Sequence, residues 1–394
     1  MHFFACMLAF VGIFIPFFVQ AAPFSQSLPS NAIDGKYIVV LKPDTDVASV
    51  VAHVNAVRRL ARRDEAVERQ YDMGHFKGYA GSFDAATAEE LKSLPEVLLV
   101  EPDYMMYTAS LVQQSNAPWG LGSISSRTNG ATSYIFDSSA GQGTYSYVLD
   151  TGIRTTHVEF EGRATWGYNA LNDGVNTDTN GHGTHVAGIL GSKTYGVAKK
   201  TNLIAVKVLT PNGPTALSIV LDGLNWALND IVSKGRQTSA VITMAFGGPA
   251  SSAMDNAITS INNSGVIAVV AAGNDMQPAS NSSPCRASVA LCVGAIQPND
   301  YRSSYSNYGP AVDIWAPGDN IVSTWITSDT ATSAQYGTSM ATPFVAGLVS
   351  YIRGKDGLSP GPIARAKVLA LATPGRVLDG QGAANLMAYN GNGR

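Results

Sequence analysis

Charge is scarce in this 394-residue chain: 14% of the residues are Asp, Glu, Lys or Arg, and the formal net charge is -3. So thin a basic complement builds no Lys/Arg stripe along a phosphate backbone and no cationic face for a bilayer surface, which excludes nucleic acid and membrane as partners. Cysteine is scarcer still, with three in the whole chain. Long apolar runs are absent after the first thirty residues, so no later segment is expected to span a membrane. Two catalytic signatures are also missing. His182 and His185 have an H-x-x-H spacing, but Gly183 and Thr184 stand where a zinc peptidase of that type needs its glutamate. A DTG triplet occurs at Asp150, yet no second DTG or DSG exists to share a proton with it, as aspartic peptidases require.

What is present begins with a leader. MHFFACMLAFVGIFIPFFVQAA is almost uncharged, is interrupted by Pro16 and ends in small residues, the pattern of a secretory signal cleaved after Ala21 (residues 1–21) rather than of an anchor. Export makes the compartment oxidising and the expected location extracellular. Cys6 leaves with the leader, so Cys285 and Cys292 are expected to close a small disulfide loop; two buried thiols are the alternative that spacing leaves open. Asn262 in NNS and Asn281 in NSS are glycosylation acceptors for a eukaryotic secretory route.

Two compositions follow. From Gly35 to about Tyr107 the chain is densely charged, and the residues up to Val112 carry net -4; beyond, the chain is rich in Gly, Ser and Ala, net +1. In the first part, between about residues 35 and 107, strand and helix patterns alternate: GKYIVVLKP, then DVASVVAHVNAVRRLARR, FKGYAGSF, TAEELKSLP and EVLLVEPDYMM. They suggest a β-α-β-β-α-β module of the ferredoxin-like kind. In the second part the apolar runs YSYVLD, NLIAVKVL, AVITMAF, VIAVVAA and SVALCVGA alternate with helical patterns, among them HVAGILGS, LSIVLDGLNWALNDIVS and SMATPFVAGLVSYIRG. Such alternation predicts an α/β fold, a parallel sheet sandwiched by helices, with its site at the carboxyl ends of the strands.

Three junctions carry chemistry at those ends. Asp150 closes YSYVLD, His182 opens a helix in NGHGTHVAG, and Ser339 opens another in YGTSMATP. Singly each is weak: GTS alone is a helix cap, and His185 reads as a hydrogen-bonded core residue. Together, in the order Asp, His, Ser, they match one chain order of the nucleophile, base and orienting carboxylate of acyl-transfer enzymes.

VLDTGI, NGHGTHVAG and YGTSMATP resemble the signature motifs of the subtilisin-like serine peptidases, and NAPWGL, SSYSNYG and ANLMAYN resemble their proteinase K branch. The resemblance covers the chain from about residue 113, and residues 22–112 look like that family's inhibitory propeptide. It implies a secreted, broad-specificity serine endopeptidase made as an autoprocessed zymogen, a monomer acting on proteins and peptides, with its own propeptide as inhibitor. A catalytically inert binding protein of the same fold, or an esterase, is the alternative. It also implies roles for further residues. Asn274 in AAGN resembles the oxyanion-hole asparagine. Ala245, Phe246, Gly247 and Gly248, facing Ala271, Ala272 and Gly273, resemble the walls of an apolar pocket for a hydrophobic or aromatic side chain on the acyl side. Gly213 lies on the edge segment that pairs with substrate, where Pro214 departs from the family and removes a donor. Asp313, with the carbonyls of Val289 and Leu291, matches a structural calcium site; catalysis itself requires no cofactor.

Overall fold

The computed structural model describes residues 32–60, 67–104 and 111–394; the leader, and with it the expected signal cleavage, lies outside them. The first unit holds β1 (Ala32–Leu41), α1 (Val47–Leu60), β2 (Val67–Met73), β3 (Phe76–Ser82), α2 (Ala85–Lys92) and β4 (Val97–Tyr104). The four strands form one sheet in the order β2-β3-β1-β4 with antiparallel β1-β3, β1-β4 and β2-β3 pairs, the expected module. β2 is the strand that the apolar pattern does not announce: VERQYDM is mostly polar because most of it faces solvent. Asp84 caps α2 by accepting from the Thr87 amide (2.7 Å). Val39, Leu41, Tyr79 and Leu91 centre a small core. A buried polar group crosses it, in which His53 lies between the Glu96 carboxylate (2.6 Å) and the Tyr79 hydroxyl (2.9 Å).

In the larger unit β5 (Leu111–Gln114), α3 (Trp119–Ile124), β6 (Tyr134–Asp137), β7 (Tyr145–Asp150), β8 (Ala164–Asn169), α4 (His182–Gly191), β9 (Asn202–Lys207), α5 (Leu217–Ser233) and β10 (Ala240–Met244) come first. They are followed by β11 (Gly248–Pro249), α6 (Ser252–Asn263), β12 (Ile267–Ala271), β13 (Ser282–Ser283), β14 (Leu291–Ile296), β15 (Ile314–Pro317), β16 (Ile321–Thr324) and β17 (Thr332–Gln335). The chain ends with α7 (Thr338–Asp356), α8 (Gly361–Leu371), β18 (Thr373–Pro374) and β19 (Leu386–Met387). The main sheet runs β18-β19-β15-β14-β12-β10-β7-β9-β8, and every pair from β15 to β8 is parallel. β10, β12 and β14 are buried at every position, which requires cover on both faces. That is why their sequences read as unbroken apolar runs. Each fully buried Val, Leu or Ile among them contributes about 1.5–3 kcal/mol by leaving water.

Two features outside the sheet position the rest. α4 and α7 pack against one another and on the strands of the sheet. β5 pairs antiparallel with β6, from Leu111↔Asp137 to Gln114↔Tyr134. This hairpin is tied down twice: the Asp137 amide donates to the Tyr351 hydroxyl on α7 (2.9 Å), and Gln114 Nε2 donates to the Thr194 carbonyl beyond α4 (3.0 Å). Cys285 and Cys292 are bonded as expected, with Cα atoms 5.1 Å apart. Among the described residues no helix is long and apolar enough to cross a membrane.

Candidate active site

β7 is a central strand, and its last residue, Asp150, is wholly buried at the carboxyl end of the sheet. Its Oδ1 accepts from the Thr151 amide and from His182 Nδ1, each at 2.8 Å. The imidazole is therefore held with Nδ1 as donor, which leaves Nε2 to accept a proton. His182 can come this close because position 183 is glycine. A Cβ there would stand 2.1 Å from the Gly152 carbonyl oxygen and 3.0 Å from Asp150 Cβ. Burial pulls the basicity of His182 down; the adjacent Asp150 carboxylate, and Asp178 farther off, more than offset it and hold the pKa above the ordinary value of 6.5. His185, one turn on, is wholly buried with Nε2 at 3.0 Å from the carbonyls of Ile321 and Ser333, and burial pushes its pKa down to about 4.

Ser339 is the second residue of α7, on the helix that packs against α4. Its Oγ donates to the Ala245 carbonyl (2.5 Å), so the hydroxyl rests against the segment after β10 and not on His182. At the start of α7 the amide of Thr338 donates to Asn274 Oδ1 (2.9 Å), and those of Met340 and Ala341 donate to the Gly337 carbonyl (3.0 and 3.4 Å). The Ser339 amide has no protein acceptor among the described residues, and it points from a helix N-terminus, where negative charge is favoured. Asn274 Oδ1 also accepts from the Thr338 hydroxyl (2.9 Å), so its Nδ2 is the end left to donate. Gly337, at φ 139°, sits between the two donors: a Cβ there would lie 3.4 Å from Asn274 Nδ2 and 3.6 Å from the Ser339 nitrogen. A side chain at 337 would thus fill the space that both donors face.

The expected pocket segments also meet. β10 and β12 are neighbours in register, Met244↔Val270, so Ala245–Gly248 and Ala271–Asn274 leave the sheet side by side. Ala245, Ala271 and Ala272 are buried, while Gly247, Gly248 and Asn274 are open to solvent. Ser282 and Ser283 form a further wall that sequence reasoning missed: β13 pairs with β11, and a Cβ on Gly247 would lie 3.3 Å from the Ser283 carbonyl oxygen. Gly213 (φ 96°) closes a turn by donating to the Thr210 carbonyl (2.9 Å). The carbonyl of Pro214 is itself taken by the Thr210 hydroxyl (2.8 Å), so this edge is poor in acceptors as well as donors.

Three residues, the buried Asp178 and Asn307 and the half-buried Tyr305, hold the site and were not singled out from the sequence. Asp178 accepts from the Thr151 hydroxyl, from the amides of Asn180, Gly181 and Thr184, and from the Thr184 hydroxyl, over 2.6–2.9 Å, and so fixes the N-terminus of α4. Asn307 holds the Asn274 loop: Oδ1 accepts from the amides of Asp275 and Gln277, and Nδ2 donates to the Ala272 carbonyl (2.9 Å). The Tyr305 hydroxyl accepts from the Gly337 amide (3.0 Å). SSYSNYG, noted for its resemblance, contains the last two; their role was invisible because their partners are backbone groups far along the chain.

The remaining expectations fall elsewhere. Asn281 is exposed, with Nδ2 donating to Gln277 Oε1 (3.2 Å), and Asn262 is half-buried in the last turn of α6. Asp313, expected with the carbonyls of Val289 and Leu291 to hold calcium, has both oxygens engaged: Oδ2 by the Cys292 amide (2.9 Å) and Oδ1 by Arg365 Nη2 (2.6 Å). Among the described residues no three His, Cys, Asp or Glu gather as metal ligands. One carboxylate already carrying a guanidinium does not fit an ion that takes about six to eight oxygens.

The sequence profile described as the subtilase family matches residues 141–382, and that of peptidase inhibitor I9 matches residues 36–109. The chain is similar to alkaline protease 1 of Aspergillus clavatus, 49% identical over 94% of this chain and 95% of that protein. It is also similar to an alkaline proteinase of Hapsidospora chrysogena, 50% identical over 95% of each. Among solved structures, that of a cold-adapted subtilisin-like serine proteinase is similar with a TM-score of 0.65 and 38% identity, covering 70% of this chain and 99% of that one.

Proposed function

The chain belongs to the subtilase family, and from that premise we propose that Asp150, His182 and Ser339 are its catalytic triad and that Asn274 Nδ2 and the Ser339 amide are its oxyanion donors. The enzyme is a serine endopeptidase made as a zymogen with an I9-type propeptide. The observation that carries the assignment is the 2.8 Å bond from His182 to a wholly buried Asp150, at the strand ends where Ser339 and Asn274 also gather.

The chemistry follows from these groups. A serine hydroxyl is a weak nucleophile at neutral pH, so its proton must leave as the oxygen attacks. The Ser339 hydroxyl turns from the Ala245 carbonyl to His182 Nε2, which takes the proton while Oγ bonds to the scissile carbonyl carbon. Asp150 stabilises the imidazolium that results. The carbonyl oxygen, now negative, is met by donors already in place, so little reorganisation is needed at that moment. His182 returns the proton to the departing amine, and a water then repeats the sequence to release the acid. The Ala245 carbonyl left behind suits the backbone N–H of the substrate residue on the acyl side. That residue's side chain enters between Ala245–Gly248 and Ala271–Gly273, whose small residues favour a large hydrophobic or aromatic group. Pro214 shortens strand pairing farther out. Catalysis uses no metal.

The proposed organisation is a signal over residues 1–21, a propeptide with its inhibitor-like unit over about 35–107, and a peptidase domain. The charge balance and the motifs put that last boundary near residue 112; the I9 match ends at residue 109 and β5 begins at Leu111, which favours a cut just before Leu111. Secretion, a monomeric state and glycans on Asn262 and Asn281 complete the reading. The test is to express the full chain and Ser339→Ala side by side. Wild type should yield a mature N-terminus just before Leu111 and cleave peptide libraries after hydrophobic residues. Ser339→Ala should stay uncut and lose about 10⁶-fold in kcat. Unimpaired cleavage by Ser339→Ala would refute the triad.

A further inference from the structure

The subtilisin-like fold commonly binds calcium, yet the place where the family resemblance put an ion is taken by a side chain of this chain. Arg365 lies on α8, and its guanidinium makes two contacts there: Nη2 to Asp313 Oδ1 (2.6 Å) and Nε to the Ala290 carbonyl (3.2 Å). A carboxylate and a backbone carbonyl from the 289–291 segment are the kind of oxygen ligands that a hard cation would use. We propose that Arg365 is a built-in cation, standing on Asp313 where an ion would otherwise sit, so that this position neither holds nor needs calcium.

The surroundings show what such a cation does. The Cys292 backbone makes two bonds with Asp313: its amide donates to the Oδ2 carboxylate oxygen (2.9 Å), and its carbonyl accepts from the Asp313 amide (3.0 Å). Cys292 is also one end of the disulfide loop. Asp313 immediately precedes β15, so three separate pieces meet at its carboxylate: the disulfide loop, the start of β15 and helix α8. A guanidinium offers a planar fork of donors that can bridge two of these at once. Both partners are about three-quarters shielded, with 26% and 22% of the Arg365 and Asp313 side chains exposed, so solvent screening is reduced but present. A divalent ion approaching Asp313 would have to expel a positive charge already paired there. Arginine and calcium are therefore competitors for one carboxylate.

The test uses mature enzyme blocked with a covalent serine reagent, so that autolysis and activity play no part. Wild type, Arg365→Ala and the double variant Arg365→Ala/Asp313→Asn are melted at one scan rate, in excess EDTA and in millimolar calcium. The readout is the calcium-dependent shift in Tm. Wild type should shift no more than the double variant. Arg365→Ala should melt lower than wild type in EDTA and gain a calcium shift of about 2 °C or more, which the double variant lacks. A shift common to all three belongs to another ion and cancels in the comparison. A wild-type shift larger than that of the double variant would overturn the proposal, because an ion would then already sit on Asp313. So would an Arg365→Ala shift no larger than that of wild type. If Arg365→Ala fails to fold, Arg365→Gln, which keeps bulk without charge, is judged by the same two criteria.

Discussion

The two units of this chain are built to different depths. The peptidase sheet has strands such as β10 and β12 in which every residue is buried, whereas in the leading unit β2 is mostly exposed and β4 shows Leu98 and Leu99 at 59% and 47% exposure. A small antiparallel module with one modest core is marginal alone. A deep parallel sheet with helices on both faces is not. The difference suits a part that must come away from a part that must persist, and it also divides the effects of mutation: damage to chemistry belongs to the larger unit, damage to folding is felt first in the smaller.

The largest effect that would sharpen this contrast is chemical. Asp150→Asn should cost about 10⁴ in kcat while leaving Tm nearly unchanged. It should also move the pH profile. The active form needs His182 neutral, and Asp150 holds its pKa above 6.5, so kcat/KM of wild type should rise with pH through a midpoint above that value. With Asp150 neutralised, burial is left as the dominant influence and the midpoint should fall. A midpoint unmoved by Asp150→Asn would break the assignment.

Next in size, Asn274→Ala should lower kcat by about 10² to 10³, with KM and Tm close to wild type. Steady-state kinetics on one peptide check this, and a loss confined to KM would reassign Asn274 to substrate binding. Then come two matched core truncations, Leu91→Ala in the leading unit and Ile242→Ala in β10, both at buried positions. Each should cost about 2–5 kcal/mol. By circular dichroism, the first should unfold the isolated leading unit, whose whole stability is of similar size, whereas the second should only lower the Tm of the peptidase. Equal tolerance of both would erase the contrast. The smallest effect is at the surface: Leu99→Ala should change the leading unit's stability by under about 0.5 kcal/mol but weaken its inhibition of the mature enzyme by up to roughly tenfold. An unchanged inhibition constant would show that Leu99 takes no part in inhibition.

How much of this could be read from residues alone followed the same physics. Strands buried on both faces are continuous apolar runs, so AVITMAF and VIAVVAA were evident; VERQYDM and ATWGYN, at sheet edges, carry too few apolar residues to stand out. Asp150, His182, Ser339 and Asn274 sit in short Gly-rich junctions with a recognisable order. Asn307 and Tyr305 do not, since a residue that works by binding distant backbone groups leaves no local pattern, and Asp178, which binds amides two to six positions on, reads like any Asp at a helix start. Arg365 was hidden for a related reason: its partner Asp313 is 52 positions away.

The hairpin of β5 with β6 would give the proposed self-cleavage a direction. Tyr351, which receives the Asp137 amide opposite Leu111, lies about 18 Å along α7 from Ser339. While those strands are zipped, the cut proposed just ahead of Leu111 would be out of the nucleophile's reach, so that cut would have to precede the zipping. On the proposed cut, the new end would be stitched down a helix length from Ser339, away from the groups that could reseal it, and maturation would work as a ratchet.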